Sequence, residues 1–327
     1  MNGTSMQRRR LLAAAIAAGA LPFELRAQAD WPARPLRLVV PFAPGGATDV
    51  TARLVAQRLS DNLKQQVVVE NRAGGGSIVG TDFVAKAAPD GYTLVMAANS
   101  CIAPGPLMRA NMPYDALRDF SHIALVGSFP NGFVVRADHP AKSLAEFIAM
   151  ARARPGALNY SSAGVGSSGY LSGELLKQKA GIDILHIPYK GTGPAVTDLL
   201  GGQLDGMFDG LVTATPQVRS GRLRLLAVTG EARARAFPEV PTTGEIVPGV
   251  VGAAWFGVSG PAAMPESVIE RLQTEIRKLL ALPEVQGRLA DIGMTVIAGD
   301  RQQYLAHIAA ENARYGPLIV AAKLRID

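Results

Sequence analysis

From Leu36 onward, apolar runs of strand length alternate with segments whose apolar positions recur every three or four residues. LRLVVPF (Leu36–Phe42) predicts a buried strand. Asp49–Leu63 predicts a helix with one apolar face, because Val55, Leu59 and Leu63 lie four apart with Val50 and Leu54 beside them. Gln66–Glu70 (QVVVE) predicts the next strand and Ala73–Gly76 a glycine-rich turn. Ser77–Ala88 then predicts a helix stopped by Pro89, and Tyr92–Ala97 a third strand. Helices of this length between strands make βαβ units, with right-handed crossovers and a mainly parallel sheet.

The same grammar restarts after Pro140. Ser143–Ala153 predicts a helix, Leu158–Tyr160 a short strand, Ser161–Ser168 a Ser/Gly loop and Gly169–Lys179 a helix. Strand Asp183–Ile187, loop Pro188–Pro194, helix Ala195–Leu200, and strands Gln203–Phe208 and Leu223–Thr229 follow. Ser267–Leu280 and Gln302–Lys323 predict strong helices at the tail, the latter with Tyr304, Ile308, Glu311 and Tyr315 on one face. Two successive α/β units, each opening with strand, glycine loop and helix, predict two lobes. A tail helix packing back on the first lobe would make that lobe discontinuous.

The first 29 residues stand apart from this pattern. A basic start (Arg8, Arg9, Arg10), an apolar run from Leu11 to Leu21 and the small-residue sequence Ala27-Gln28-Ala29 predict an export signal cleaved before Asp30. The run is shorter than the about 20 residues that a retained membrane span needs. Arg8-Arg9 fits a twin-arginine route and equally an ordinary Sec signal, so both stay open; the expected compartment is a bacterial periplasm. This segment holds four of the 33 basic residues and one of the 27 acidic ones, leaving 29 against 26 and a mature net charge of about +3. No basic run with interleaved aromatics remains, so nucleic-acid binding is not expected. Cys101 is the single cysteine, which excludes an intramolecular disulfide and suits a small buried side chain.

NYSSAGVGSSGYLSGE (Asn159–Glu174) contains a literal G-x-G-x-x-G at Gly164–Gly169. A dinucleotide fingerprint needs an acidic residue about 20 positions on, at the carboxyl end of the next strand. Here Asp183, nineteen residues after Gly164, begins its strand instead. The loop offers a helix N-terminus with free amides and several hydroxyls, which suits a small anion. The loop Phe42-Ala43-Pro44-Gly45-Gly46-Ala47-Thr48-Asp49 has the same character. Both follow strands, and ligands of open α/β sheets bind at that end. Facing lobes would then close on one carboxylate.

At these residues the chain resembles the periplasmic solute-binding proteins of tripartite tricarboxylate transporters, the Bug family. The matching stretches are WPARPLRLVVPFAPGGATDVTARLVAQRL, VVVENRAGGGSIVGTDFVAKAAPDGYTL and LNYSSAGVGSSGYLSGELLKQKAGIDILHIPYKGTGPAVTDLLGGQLDGMFD, continued by GRLRLLAVT and VPTTGEIVPG. The likeness covers Trp31–Asp327. It implies an α/β two-lobed clamshell, each lobe a mainly parallel sheet flanked by helices. Residues 30–128 would form the first lobe, 129–249 the second, and 250–327 a return to the first.

The resemblance implies that a small carboxylate is gripped by Phe42, Ala43, Pro44, Gly45, Gly46, Thr48 and Asp49 on one side. Ser161, Ser162, Ala163, Gly164, Gly166, Ser167 and Ser168 would face them, with Asp209 meeting an amino or hydroxyl group of the ligand. Gly210 stands where the family pattern leads one to expect Asn. The implied partners are the carboxylate and the membrane permease subunits, with the protein a monomer. A sensor subunit of the same fold is the alternative role.

Enzyme chemistry finds no support. G-x-S-x-G is absent, Lys190-Gly191-Thr192 reverses the phosphate-loop order, and His122, His139, His186 and His307 are scattered without metal-ligand spacing. No cofactor or metal is expected. His186 reads as a packed strand residue, and His122 and His139 as surface loop residues.

Overall fold

Strand β1 (Leu36–Val40) lies between β2 (Val67–Asn71) and β3 (Thr93–Ala98), all parallel. The computed structural model describes residues 31–321, 323 and 324, so the expected export signal over residues 1–29 lies outside the described residues. All of β1 except Arg37 is buried, as a parallel strand covered by helices on both faces requires. Helix α1 (Ala47–Leu63) carries the first crossover and buries Leu54, Val55, Leu59 and Leu63, whereas Val50 is 40% exposed and off the apolar face. It begins two residues earlier than the apolar pattern indicates, which draws Thr48 into its first turn. Helix α2 (Ile78–Ala85) carries the second crossover and stops short of Pro89. β3 runs directly into the single turn α3 (Asn99–Ile102), where Cys101 is buried and free.

The chain then enters β4 (Phe120–Arg136), a seventeen-residue strand that the sequence pattern does not reveal. Helix α4 (Leu144–Ala153) follows, its cap Ser143 accepting from the Glu146 amide at 3.1 Å. The second lobe repeats the first. Parallel strands β5 (Asn159–Ser162), β6 (Leu185–Pro188) and β7 (Gly206–Gly210) stand in the order β6-β5-β7. Helices α5 (Ser168–Ala180) and α6 (Thr192–Leu200) carry their crossovers. Helix α7 (Leu211–Arg219), strand β8 (Leu223–Val228) and the turn α8 (Thr243–Ile246) complete the lobe. The chain returns along β9 (Ala253–Pro261), then α9 (Glu266–Ala281), α10 (Pro283–Asp291), β10 (Thr295–Gly299) and α11 (Arg301–Ala321). Among the described residues no helix is long and apolar enough to cross a membrane.

β4 joins the two parallel triplets. Its first part, Phe120 to Pro130, pairs antiparallel with β9, and β9 in turn pairs antiparallel with β3. Its last part, Asn131 to Arg136, pairs antiparallel with β7 and β8. One strand therefore belongs to both halves, and the changeover falls at Pro130–Asn131. The second passage between halves runs through Gly252 into β9. Thr229 stitches the two passages together. Its Oγ1 accepts from the Asn131 amide (2.9 Å) and donates to the Gly252 carbonyl (2.7 Å), while the Gly252 amide donates to the Thr229 carbonyl (2.7 Å).

Apolar packing holds each half separately. Phe133, Phe147, Tyr160 and Phe208 centre the core on one face of the second sheet, and Val134, Leu199, Met207 and Leu211 that on the other. In the first half, α11 lays Tyr304 edge-on against Trp255 (5.7 Å between ring centres) and across Gly257. His122, expected on a surface loop, is instead buried on β4 between Ser259 Oγ and the Ala116 carbonyl, each at 3.1 Å. Burial pushes its pKa down to about 4, so it stays neutral. The unrecognised strand explains the difference: the residues around His122 pair with β9 rather than loop into solvent.

Gly257 and Gly287 offer opposite tests of this packing. A Cβ at Gly257 would run into the fully buried Tyr304 ring, which has no room to move. Gly257→Ala is therefore expected to cost about 1–3 kcal/mol, the usual range for overpacking. Gly287 lies inside α10, exposed, with nothing within 4 Å of an added Cβ. Gly287→Ala should stabilise by about 0.5–1 kcal/mol through helix propensity. Urea unfolding midpoints should move in opposite directions; equal shifts would refute the packing assignment.

Candidate functional site

The loop after β1 reaches α1 without a side-chain cap: Gly46 takes the cap position, at φ −86°. The amides of the first helical turn have no acceptor within the helix and point outward from its positive end. Gly45, at φ +82°, donates its amide to Asp49 Oδ2 at 3.0 Å. Asp49 is further held by Arg53 (3.0 Å) and Asn71 (2.9 Å). Burial pushes the Asp49 carboxyl up, but these hydrogen bonds outweigh it and hold the pKa below the usual carboxylate value. Asp49 thus shapes the loop from behind.

Opposite, β5 ends in a loop whose turns use Gly164 (φ +127°) and Gly166 (φ +87°). Ser162 closes the turn: its Oγ accepts from the Gly164 amide (3.2 Å) and meets His186 Nε2 at 2.8 Å. Burial pushes the His186 pKa down to about 4. Ser161 is fully buried in β5. Ser167 caps α5 by accepting from the Tyr170 amide, and Ser168 Oγ donates to Asn131 Oδ1 at 3.0 Å.

The two loops face each other across a cavity of about 50 Å³. Several helix starts converge on it: Gly46, Ala47 and Thr48 of α1, Ala98 and Asn99 of α3, and Ser167, Ser168 and Gly169 of α5. Thr192 of α6 and Gly210, the cap of α7, complete the set. Phe42, Ser100, Phe129, Asn131, Ala163, Phe208, Asp209, Ala254 and Phe256 complete the lining, which contains no Lys, Arg or His. The first loop also touches the segment that joins β6 to α6. The Ala43 amide donates to the Lys190 carbonyl at 2.8 Å, and a Cβ at Gly46 would stand 2.6 Å from Thr192 Oγ1. A side chain at 46 would press on the Thr192 hydroxyl across the cavity. Among the described residues no group of three His, Cys, Asp or Glu side chains could hold a metal ion.

Of the residues predicted from the sequence, Phe42, Gly46, Thr48, Ala163, Ser167, Ser168 and Asp209 line the cavity. Ala43, Pro44, Gly45, Asp49, Ser161, Ser162, Gly164 and Gly166 do not: they build the two loops or join them. Asn99, Phe129, Asn131, Thr192 and Phe256 line the cavity without having been predicted. Phe129, Asn131 and Phe256 lie on β4 and β9, strands hidden by their glycines and prolines. The alternation of Phe129 and Asn131 was the one available signal.

Asp209, at the end of β7, is buried and neither carboxylate oxygen has a hydrogen-bond partner. Burial pushes its pKa up to about 8. The Gly210 amide and the Thr213 and Thr192 hydroxyls stand near enough to offset this in part, but none reaches hydrogen-bonding geometry. The folded chain therefore holds this proton more tightly than the unfolded chain does. The stability it contributes is fully present below about pH 4 and is lost as pH rises through about 8. Relative to wild type, ligand-free Asp209→Asn should gain melting temperature steadily from pH 5 to pH 8. Taking the difference cancels the opposite slopes of the buried histidines. A difference that falls with pH would show that Asp209 is ionised and paired.

A family model described as tripartite tricarboxylate transporter family receptor matches residues 51–324. The chain is 38% identical over 299 residues to the protein BugT of Bordetella pertussis, an alignment covering 90% of this chain and 92% of that one. It is also 38% identical over 324 residues to a Pseudomonas sp. strain P51 protein from the tcbD-tcbE intergenic region, covering 98% and 96%. The solved structure of the periplasmic binding protein BugD matches with a TM-score of 0.87 at 32% identity, over 90% of this chain and 99% of that one. A Rhodopseudomonas palustris protein solved with adipate matches at 0.87 and 36%, over 90% and 99%. MatC from the same organism, with bound malate, matches at 0.85 and 32%, over 88% and 100%. These are solute-binding proteins of two-lobed architecture rather than enzymes. This chain belongs to the tripartite tricarboxylate transporter receptor family, as a solute-binding protein of the Bug type.

Proposed function

We propose that this chain captures a small carboxylate in the cleft between its lobes and delivers it to the membrane subunits of a tripartite transporter. The observation that carries the reading is the convergence of helix starts from both halves on one cavity that contains no basic side chain. Free amides at helix N-termini hold an anion with directional hydrogen bonds and a favourable dipole. A carboxylate bridging Gly46–Thr48 and Ser167–Gly169 would favour the closed arrangement, because each lobe alone offers only half of the donors. The relatives solved with adipate and malate support the ligand class.

On this reading residues 30–128 and 250–327 form one lobe and 129–249 the other, with hinge movement at Pro130–Asn131 and Gly252. The protein works as a monomer in the periplasm after removal of residues 1–29. N-terminal sequencing of the exported protein should begin at Asp30. A start at Met1 or Met6 on periplasmic material would contradict the cleavage.

Gly46→Asp tests the grip. At φ −86° the new residue meets no backbone strain, and an acidic group near a helix start is worth about 0.3–1 kcal/mol. The ligand-free melting temperature should stay close to wild type. Its side chain would however crowd Thr192 across the cleft and set a negative charge against the carboxylate. Melting-point increases produced by carboxylates in the wild type should vanish. Wild-type affinity in Gly46→Asp would remove the first loop from the mechanism.

A further inference from the structure

The floor of the cavity is built where β3, β9 and β4 lie side by side, with Ala98 opposite Phe256 and Ala254 opposite Phe129. Phe129 and Phe256 pack as tilted rings 5.0 Å apart, and both line the cavity. A Cβ at Gly210 would run into the Phe129 ring, so Gly210 is what allows Phe129 to lie across the end of β7.

The polar side chains around this floor already have partners. Asn99 donates from Nδ2 to Glu311 Oε2 (2.9 Å) and accepts the Trp255 amide on Oδ1 (3.1 Å). Asn131 donates from Nδ2 to Ser172 Oγ (3.2 Å) and accepts from Ser168 Oγ. Ser100 Oγ is bonded to Ser77 Oγ at 2.7 Å. A second carboxylate resting here would be stripped of water against two phenyl rings with no cation to meet it, which is costly. Asp209, by contrast, offers two carboxylate oxygens with no partner and lies close to Thr192 and hence to the first loop.

We infer that this site selects a monocarboxylate carrying a hydroxyl or ammonium donor near its carboxylate and an aliphatic or aromatic remainder, with Phe129 and Gly210 setting the preference against dicarboxylates. The inference rests on the carboxylate reading above and narrows it. It separates this chain from the relatives solved with adipate and malate.

Calorimetric titration of the ligand-free protein with matched acids tests it. 2-Hydroxyhexanoate and 3-phenyllactate are expected to bind at least about tenfold more tightly than adipate and malate. Phe129→Leu should keep that ranking, whereas Phe129→Asn should narrow the ratio by about tenfold or more. Adipate or malate binding as tightly as the monocarboxylates would overturn the inference while leaving the carboxylate reading intact. An unchanged ratio in a folded Phe129→Asn would remove Phe129 from its role. If that variant does not fold, the comparison on the wild type decides alone. Failure of every acid to bind would overturn the carboxylate reading and the inference together.

Discussion

On the proposed reading, holding an anion out of water without a cation is the constraint around which this molecule is arranged. A lone helix start supplies a few amides and a fraction of a charge. The fold gathers several such starts by ending β1, β3, β5 and β7 near one cavity, with a helix directly after β3 and β7 and after a short loop behind β1 and β5. Glycine is needed where two of these starts touch. Gly46 leaves room for the Thr192 hydroxyl across the cavity, which an added Cβ would crowd. Asp49, the one acidic residue of the first loop, is kept ionised behind it by Arg53, Gly45 and Asn71.

Such a grip would work only if the halves could part and meet again in register, which puts the demand on the seam. Parallel triplets form each half, while the antiparallel strands β4 and β9 run through the middle. Thr229 bonds to both crossing segments and so ties the two connections to each other. Two residues on from the Pro130–Asn131 crossover, Phe133 is already committed to the core of the second half. Asn131 sits at the crossover, and its amide group bonds to Ser168 and Ser172 of α5. The Ser/Gly loop of the second half is thereby tied to the crossover itself.

Much of this was legible in the sequence, and the illegible part has a physical reason. LRLVV and Asp49–Leu63 announce a buried strand and its helix because each is a nearly pure periodic signal. The two glycine loops were legible for the same reason, since they interrupt such signals at the carboxyl ends of strands. FSHIALVGSFPNGFVVR was not read as one strand: its glycines and proline are ordinarily turn residues, and its two parts serve different sheets. Losing β4 and β9 meant losing Phe129, Asn131 and Phe256, hence the cavity floor. His122 was misplaced for the same reason. What periodicity reports is the face that a segment buries, whereas a seam strand changes faces and partners along its length.

On the proposed reading, Asp209 would join recognition and closure energetically. An acid with no hydrogen-bond partner in a closed cavity is tolerable when protonated and costly when ionised, since either oxygen then lacks a donor. In an open cleft water would supply those donors at little cost. The unpaired acid therefore disfavours closure of the empty protein, and more strongly as pH rises. A ligand that brings both a carboxylate for the helix starts and a donor for Asp209 removes that penalty as it adds its own bonds. A carboxylate lacking the donor closes the amides but leaves the acid unpaired. Discrimination then falls on the closed state, which is the state that a membrane partner would read, so weakly matched acids lose in closure as well as in contact.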